Sequence, residues 1–184
     1  MEIKGTAVKS IPEFVGQKYA SEYARWMNSL PDASKKIIES VNAANWYPLM
    51  AAGVEPTKKV GEMFFGGDYK KGAWEMGRFS ADVSLNGIYK LYVKMSSPGH
   101  IISRASRIFA AYYTPSKMES AELRPNSVKL IMTEFDQPSE VIEYRIAGWI
   151  ERALEISGCK GIEVKITESL AKGNKRTVFE NSWK

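Results

Sequence analysis

Few side chains in this sequence of 184 residues are of types that do chemistry by themselves. His100 is the only histidine and Cys159 the only cysteine, so the chain can form no intramolecular disulfide and has almost nothing from which to build a zinc site. His100 follows Ser96-Ser97-Pro98-Gly99 at an expected helix start, where an imidazole hydrogen-bonds backbone or solvent; a ligating histidine needs partner ligands and an orienting neighbour. Cys159 sits beside Lys160 with no histidine or acid arranged to activate it, and reads as an inert thiol. Glu119 and Glu122 pair two carboxylates without an acid-base partner. There is no glycine-rich phosphate loop, no serine elbow and no metal triad. These features argue against an enzyme: no catalytic residue and no metal ligand is assigned, and no cofactor is expected.

What the chain does supply is aromatic surface. Trp46, Tyr47, Phe79, Tyr89, Tyr92, Phe109, Tyr112, Tyr113 and Trp149 could line an apolar pocket in which a few hydroxyls orient a small ligand. On residue type alone the same rings are more often packed core. The difference is whether a cavity remains once they are packed. Arg78 or Arg104 could anchor an anionic group, and Glu151, Arg152 and Glu155 could form a binding face, but a half-exposed helix carries such charges in any case and a solvated surface is the simpler reading.

Residues 140–160 are the element best placed to position these groups. Ile142, Ile146, Trp149, Ile150, Ala153 and Leu154 recur three and four apart and form one helical stripe, with Ser139 placed to cap the start and Gly158 to end the helix in a left-handed turn. Burying the large apolar residues of that stripe is worth about 10 kcal/mol before conformational entropy. Upstream the pattern is helical. Ser10-Ile11-Pro12-Glu13 predicts a helix start, and buried positions then run to Leu30 before Pro31. Asp32 caps a second helix, and Trp46-Tyr47-Pro48 opens a third helical segment with a break near Val54. Helix resumes over 57–65, Gly66-Gly67 turns, and Asp68 caps a helix in which Gly77 and Ala81 would let a neighbour approach closely. The spacing then continues past Asn86-Gly87 to Met95, and a further helix spans 101–113.

From Met118 the period changes from helix to strand. Ala121 and Leu123, a turn at Arg124-Pro125-Asn126-Ser127, and Val128, Leu130 and Met132 make a hairpin. After the long helix, Ile162, Val164 and Ile166 alternate, Gly173-Asn174 turns, and a last strand runs through Val178 and Phe179. The predicted fold class is α+β, an N-terminal helical layer packed on a C-terminal antiparallel sheet of ββαββ order, in one domain over residues 1–184.

With 44% hydrophobic and 26% charged residues the composition is that of a soluble globular domain. The net charge of +5 is spread along the chain without a basic tail or stripe, so nucleic acid is not an expected partner. No segment reaches the roughly 18 apolar residues that span a bilayer, and the start lacks a signal-peptide core. With a single cysteine, the expected setting is the reducing cytoplasm.

Trp46-Tyr47-Pro48, Gly77-Arg78-Phe79-Ser80, Gly87-Ile88-Tyr89, Ser97-Pro98, Tyr112-Tyr113, residues 149–154, Ser157-Gly158, Gly173, Phe179 and Trp183 stand in an order that resembles the ligand-binding superfamily of nitric-oxide signalling and Golgi transport. That group includes 4-vinyl-reductase-like and haem-NO-binding-like domains, and this chain most resembles an uncharacterised bacterial paralogue family within it. The resemblance covers nearly the whole chain. It implies helices that cover an antiparallel sheet and enclose a pocket for a hydrophobic or aromatic molecule. Where related domains place metal-binding cysteines in the last hairpin, this chain has Ser169 and Thr177. Where the haem-binding branch uses a Tyr-x-Ser-x-Arg clamp, Tyr144-Arg145-Ile146-Ala147-Gly148 does not supply one. The function expected from residues and resemblance together is a noncatalytic cytoplasmic sensor or binding domain for a small hydrophobic or aromatic molecule, with the nine aromatic residues above as its ligand-binding set. The alternative is a homodimeric interaction or scaffold protein with a vestigial pocket.

Overall fold

The computed structural model of the chain describes residues 1–85 and 105–184. Strand β1 (Glu2–Lys4) leads into α1 (Gly5–Lys18), a 3₁₀ turn, α2 (Tyr23–Ser29) and α3 (Asp32–Ser40). Then come β2 (Trp46–Pro48), a π-helical turn (Met50–Val54), α4 (Glu55–Phe64), α5 (Tyr69–Leu85) and α6 (Ala105–Ala110). The remainder is β3 (Tyr113–Thr114), β4 (Lys117–Arg124), β5 (Ser127–Glu134), α7 (Glu140–Ile156), β6 (Glu163–Glu168) and β7 (Thr177–Ser182).

The predicted ββαββ unit is present, with the four strands antiparallel in the order β4-β5-β7-β6. Alternation does the work here: Val128, Leu130 and Met132 of β5 and Phe179 of β7 face inward and are buried. They join Ile142 and Leu154 of α7 and Val8 and Ile11 of α1 in one continuous core, so the helical and strand halves share their interior. The fold is α+β with helices covering an antiparallel sheet, as the patterning predicts.

Several local expectations give way to tertiary context. Trp46–Pro48 is a strand: Ile3 pairs with Tyr47 and Lys4 with Trp46, while β3 flanks β1 on its other side to complete a small second sheet. A three-residue strand carries too little periodicity to announce itself, and its stability comes from a partner far away in sequence. Helix α1 begins at Gly5, and Pro12 lies inside it. An interior proline removes a backbone hydrogen bond and costs about 3 kcal/mol. Full burial of Val8, Ile11 and Val15 on the same helix outweighs that loss. Ser10, expected to cap, instead donates from its hydroxyl to the Ala7 carbonyl. The break expected near Val54 is the π-helical turn, and Pro56 falls in the first turn of α4, where its missing N–H is harmless. Gly66 and Gly67 adopt the left-handed turn, and Asp68 accepts from the Lys71 N–H at 2.9 Å. The helical spacing expected beyond Leu85, the stop at Ser96-Ser97-Pro98-Gly99 and the start of the 101–113 segment lie outside the described residues.

Helix α7 is buried more completely than a stripe. Val141, Ile142, Glu143, Arg145, Ile146, Ala147 and Gly148 are all buried, so its first half is enclosed on nearly every side. At its end Gly158 takes φ +96° and the Cys159 N–H returns to the Leu154 carbonyl, as predicted. Ser139 precedes the helix, but its carbonyl, not its hydroxyl, receives the first N–H groups.

Two glycines let α5 and α7 touch backbone to backbone. A Cβ on Gly77 would stand 2.0 Å from the Arg145 carbonyl oxygen, and one on Gly148 would stand 2.1 Å from the Trp74 carbonyl oxygen. Above this contact the charges that a solvated surface would have carried form a network between the helices. Arg78 binds Glu151 and, at 2.9–3.0 Å, both oxygens of Glu155; Arg152 binds Asp82 at 2.8 Å and Glu155 at 2.7 Å. Trp74 Nε1 donates to Glu151 at 2.8 Å. Burial pushes the Glu155 carboxyl up, but the hydrogen bonds from Arg78 and Arg152 more than compensate and hold it below its ordinary value.

Gly77→Ala separates two opposed effects. Helix propensity alone would stabilise the chain by about 1 kcal/mol. The clash with the α7 backbone should reverse the sign and cost about 2–4 kcal/mol in urea denaturation. Unchanged or raised stability would show that the helices are not in backbone contact. The network adds a pH dependence. Because Glu155 is depressed in the folded state, its contribution is complete above the ordinary carboxyl value of 4.5 and is lost as pH falls through its lower folded value. Arg78→Met should cost about 1 kcal/mol near neutral pH and flatten the acid limb of the stability curve measured from pH 7 to pH 3.

Candidate functional site

Where α5, α6 and α7 meet the sheet, packing leaves an apolar cavity of ≈ 50 Å³ within a recess of ≈ 520 Å³ that includes its mouth. Phe109 of α6 and Tyr113 of β3 form one wall, their ring centroids 5.1 Å apart and both backed by Phe135. Met118 of β4 and Leu130 of β5 close the sheet side, and Ile146, Trp149 and Ile150 of α7 close the helix side. Gly77 and Ser80 of α5, Ala7 of α1 and Tyr112 also line it. Close approach of α5 to α7 through the glycines therefore fixes two sides of this space.

Of the nine aromatic residues singled out in the sequence, Phe109, Tyr112, Tyr113 and Trp149 come together around the cavity. Three lie elsewhere. Phe79 packs edge-on against Phe14 at 5.4 Å. Trp46 lies under the Lys4 ammonium at 4.8 Å, and Tyr47 accepts from the Asn42 N–H at 2.7 Å through its hydroxyl. Tyr89 and Tyr92, with His100 and Arg104, lie outside the described residues.

Sequence reasoning passed over Arg145, the one charged residue among the described residues that line the cavity. It is 3% exposed. One terminal nitrogen, Nη2, donates to the Ala7 carbonyl at 2.5 Å and to Ser10 Oγ at 3.0 Å; the other, Nη1, is buried with no hydrogen-bond partner. Trp149 Nε1, on the next turn, is likewise buried and unpartnered. Burial pushes the Arg145 guanidinium below its ordinary value, partly offset by the Tyr113 and Tyr112 hydroxyls. Burial also pushes the Tyr113 hydroxyl up, keeping it protonated, with Arg145 opposing. The overlooked signal was positional: Arg145 lies three residues after Ile142 and four before Trp149, on the face that the apolar pattern assigns to the interior.

The other buried charge is Glu143, 1% exposed. Two positions apart on a helix is roughly 200° around its axis. Glu143 accordingly faces away from the cavity. Its carboxylate accepts from Ser169 Oγ at 2.6 Å, Thr177 Oγ1 at 2.5 Å and the Ala171 N–H at 3.2 Å. The two hydroxyls that stand in place of a relative's metal-binding cysteines thus tie α7 to the β6–β7 connection. Among the described residues no three histidine, cysteine, aspartate or glutamate side chains come together to hold a metal, and Cys159 is buried beyond the end of α7.

No protein-family model matches the chain, and no curated protein matches it. Solved structures do. An H-NOX protein from S. oneidensis in the Fe(II)NO ligation state superposes with a TM-score of 0.75 at 12% identity, covering 99% of each chain. The unliganded Fe(II) H-NOX protein from K. algicida gives 0.73 at 10% identity, covering 99% of this chain and 97% of its own. A point mutant of the T. tengcongensis H-NOX gives 0.70 at 13% identity, covering 99% and 98%. The chain has the haem-NO-binding-like fold over its whole length.

The described residues do not fit the haem that this fold holds in those neighbours. A porphyrin is many times larger than the ≈ 50 Å³ enclosed space. Among the described residues none that lines the cavity is a histidine, and the one described lining cation is already half-committed to Ala7 and Ser10. Haem added to the purified protein should produce no Soret band beyond that of free haem; a sharp, saturable band at one equivalent would contradict this.

Proposed function

We propose that this chain is a noncatalytic cytoplasmic ligand-binding or sensor domain that has kept the haem-NO-binding-like fold and uses the cavity between α5, α7 and the sheet for a small apolar or aromatic molecule instead of haem. The observation that carries the reading is the composition of the cavity wall. Phe109, Tyr113, Met118, Leu130, Ile146 and Ile150 give an apolar surface, while Arg145 and Trp149 supply a small number of directional polar groups. That is the usual make-up of a small-molecule site. The ≈ 50 Å³ space takes a few heavy atoms, and a larger ligand extends into the recess.

The cavity also lies where occupancy would be felt elsewhere. Trp149 and Ile146 line it from the helix whose other side carries Glu143 and whose charged face is bound to α5. A ligand that shifts α7 therefore acts on the β6–β7 connection and on the ion network together, which gives a sensor a route from pocket to surface.

Screening small aromatic and aliphatic compounds by thermal shift, followed by native mass spectrometry, tests the proposal. At least one compound should bind with one-to-one stoichiometry and quench or shift Trp149 fluorescence. Ala7→Leu, which fills the cavity from α1, should weaken that binding at least tenfold while leaving the fold intact. A protein that takes up no compound and runs as a dimer in light scattering would instead support the homodimeric scaffold reading.

A further inference from the structure

The two buried charges of the described chain do not neutralise each other. Glu143 has three donors on its carboxylate and faces the β6–β7 connection, whereas Arg145 has no carboxylate among its partners. An arginine stays protonated even when burial lowers its affinity for the proton. Arg145 therefore brings a permanent positive charge to the cavity's lining, and two buried nitrogens on this helix face, Arg145 Nη1 and Trp149 Nε1, have no hydrogen-bond partner. Leaving a buried cation without a counter-charge is strongly unfavourable, and a fold gains nothing from it unless something else supplies the negative charge.

Resting on the reading of the cavity as a ligand site, we propose that the ligand is a small organic acid, its carboxylate held by Arg145 Nη1 and Trp149 Nε1 and its apolar part lying against Phe109, Met118, Leu130 and Ile150. A carboxylate matches what is missing. It brings one negative charge and acceptor oxygens to a guanidinium whose planar geometry favours it, and it brings no donor that the apolar wall would leave unsatisfied. The site selects against a neutral isostere in the same way: an amide or alcohol leaves the charge uncompensated. Among the described residues the remaining polar lining groups, Ser80, Tyr112 and Tyr113, carry hydroxyls, and none of them is an acid that would repel the anion.

The test uses the full chain and matched probe pairs, butyrate against butyramide and benzoate against benzamide, titrated calorimetrically at constant ionic strength. Each acid that binds should do so at least tenfold more tightly than its amide. Arg145→Met should abolish that preference. Since Arg145 also holds Ala7 and Ser10, Trp149→Phe provides a second variant that keeps the guanidinium; it should weaken the acid several-fold and leave it still preferred over its amide. Amides that bind as tightly as the acids, or an acid preference that survives in Arg145→Met, overturn this inference and leave the cavity standing as a site for neutral ligands. Binding of neither acid also overturns it, and the neutral-compound screen then decides separately whether the cavity is a site at all.

Discussion

The architecture depends on one close contact, the crossing of α5 and α7 at Gly77 and Gly148. Each glycine sits where a methyl group would meet a carbonyl oxygen of the opposite helix at about 2 Å. Backbones this near bring Arg78 within reach of Glu151 and Glu155, and Arg152 within reach of Asp82, so that the ion network follows from the glycines. The same approach pulls the first half of α7 inward, which is why seven of its residues from Val141 to Gly148 are buried. Arg145 enters the interior because its neighbours do.

A helix pressed between another helix and a sheet has two buried faces, and this one carries one charge on each. Toward the strands, Glu143 is fully occupied by Ser169, Thr177 and Ala171 and acts as a structural tie. Toward the cavity, Arg145 has a donor to spare. The contrast is between a charge whose hydrogen bonds all lie within the chain and one that keeps a buried nitrogen without a partner. The space is small and apolar, and its polarity is concentrated at one end.

Much of the fold was legible because its signals are local. The change of period at Met118, the turn residues at Arg124–Ser127, and the left-handed stop at Gly158 are carried by adjacent residues, and the ββαββ unit follows from them. Trp46–Pro48 was not legible, because three residues become a strand only through pairing with Glu2–Lys4. Pro12 misled for the same reason: burial of Val8 and Ile11 decides α1, and that burial is tertiary. Gly77 could be read as a point of close approach, while Gly148, inside a strongly apolar stretch, could not. The site was half visible. Periodicity assigns a ring to a face but says nothing about which faces meet, so Phe109, Tyr112, Tyr113 and Trp149 converge on the cavity and Trp46, Tyr47 and Phe79 do not. Arg145 was hidden by its type, since a charged residue is read as solvated unless the apolar residues around it are counted first. The H-NOX structures share this fold at identities of 10–13%.

The central claim is that the cavity beside Arg145 is a place built for an anion. A crystal structure of the protein grown or soaked with benzoate addresses it most directly. The account predicts carboxylate density within hydrogen-bonding distance of Arg145 Nη1 and Trp149 Nε1, with the ring against Phe109 and Leu130. A cavity that stays empty, or Arg145 turned outward to solvent with benzoate bound only at the surface, would contradict it.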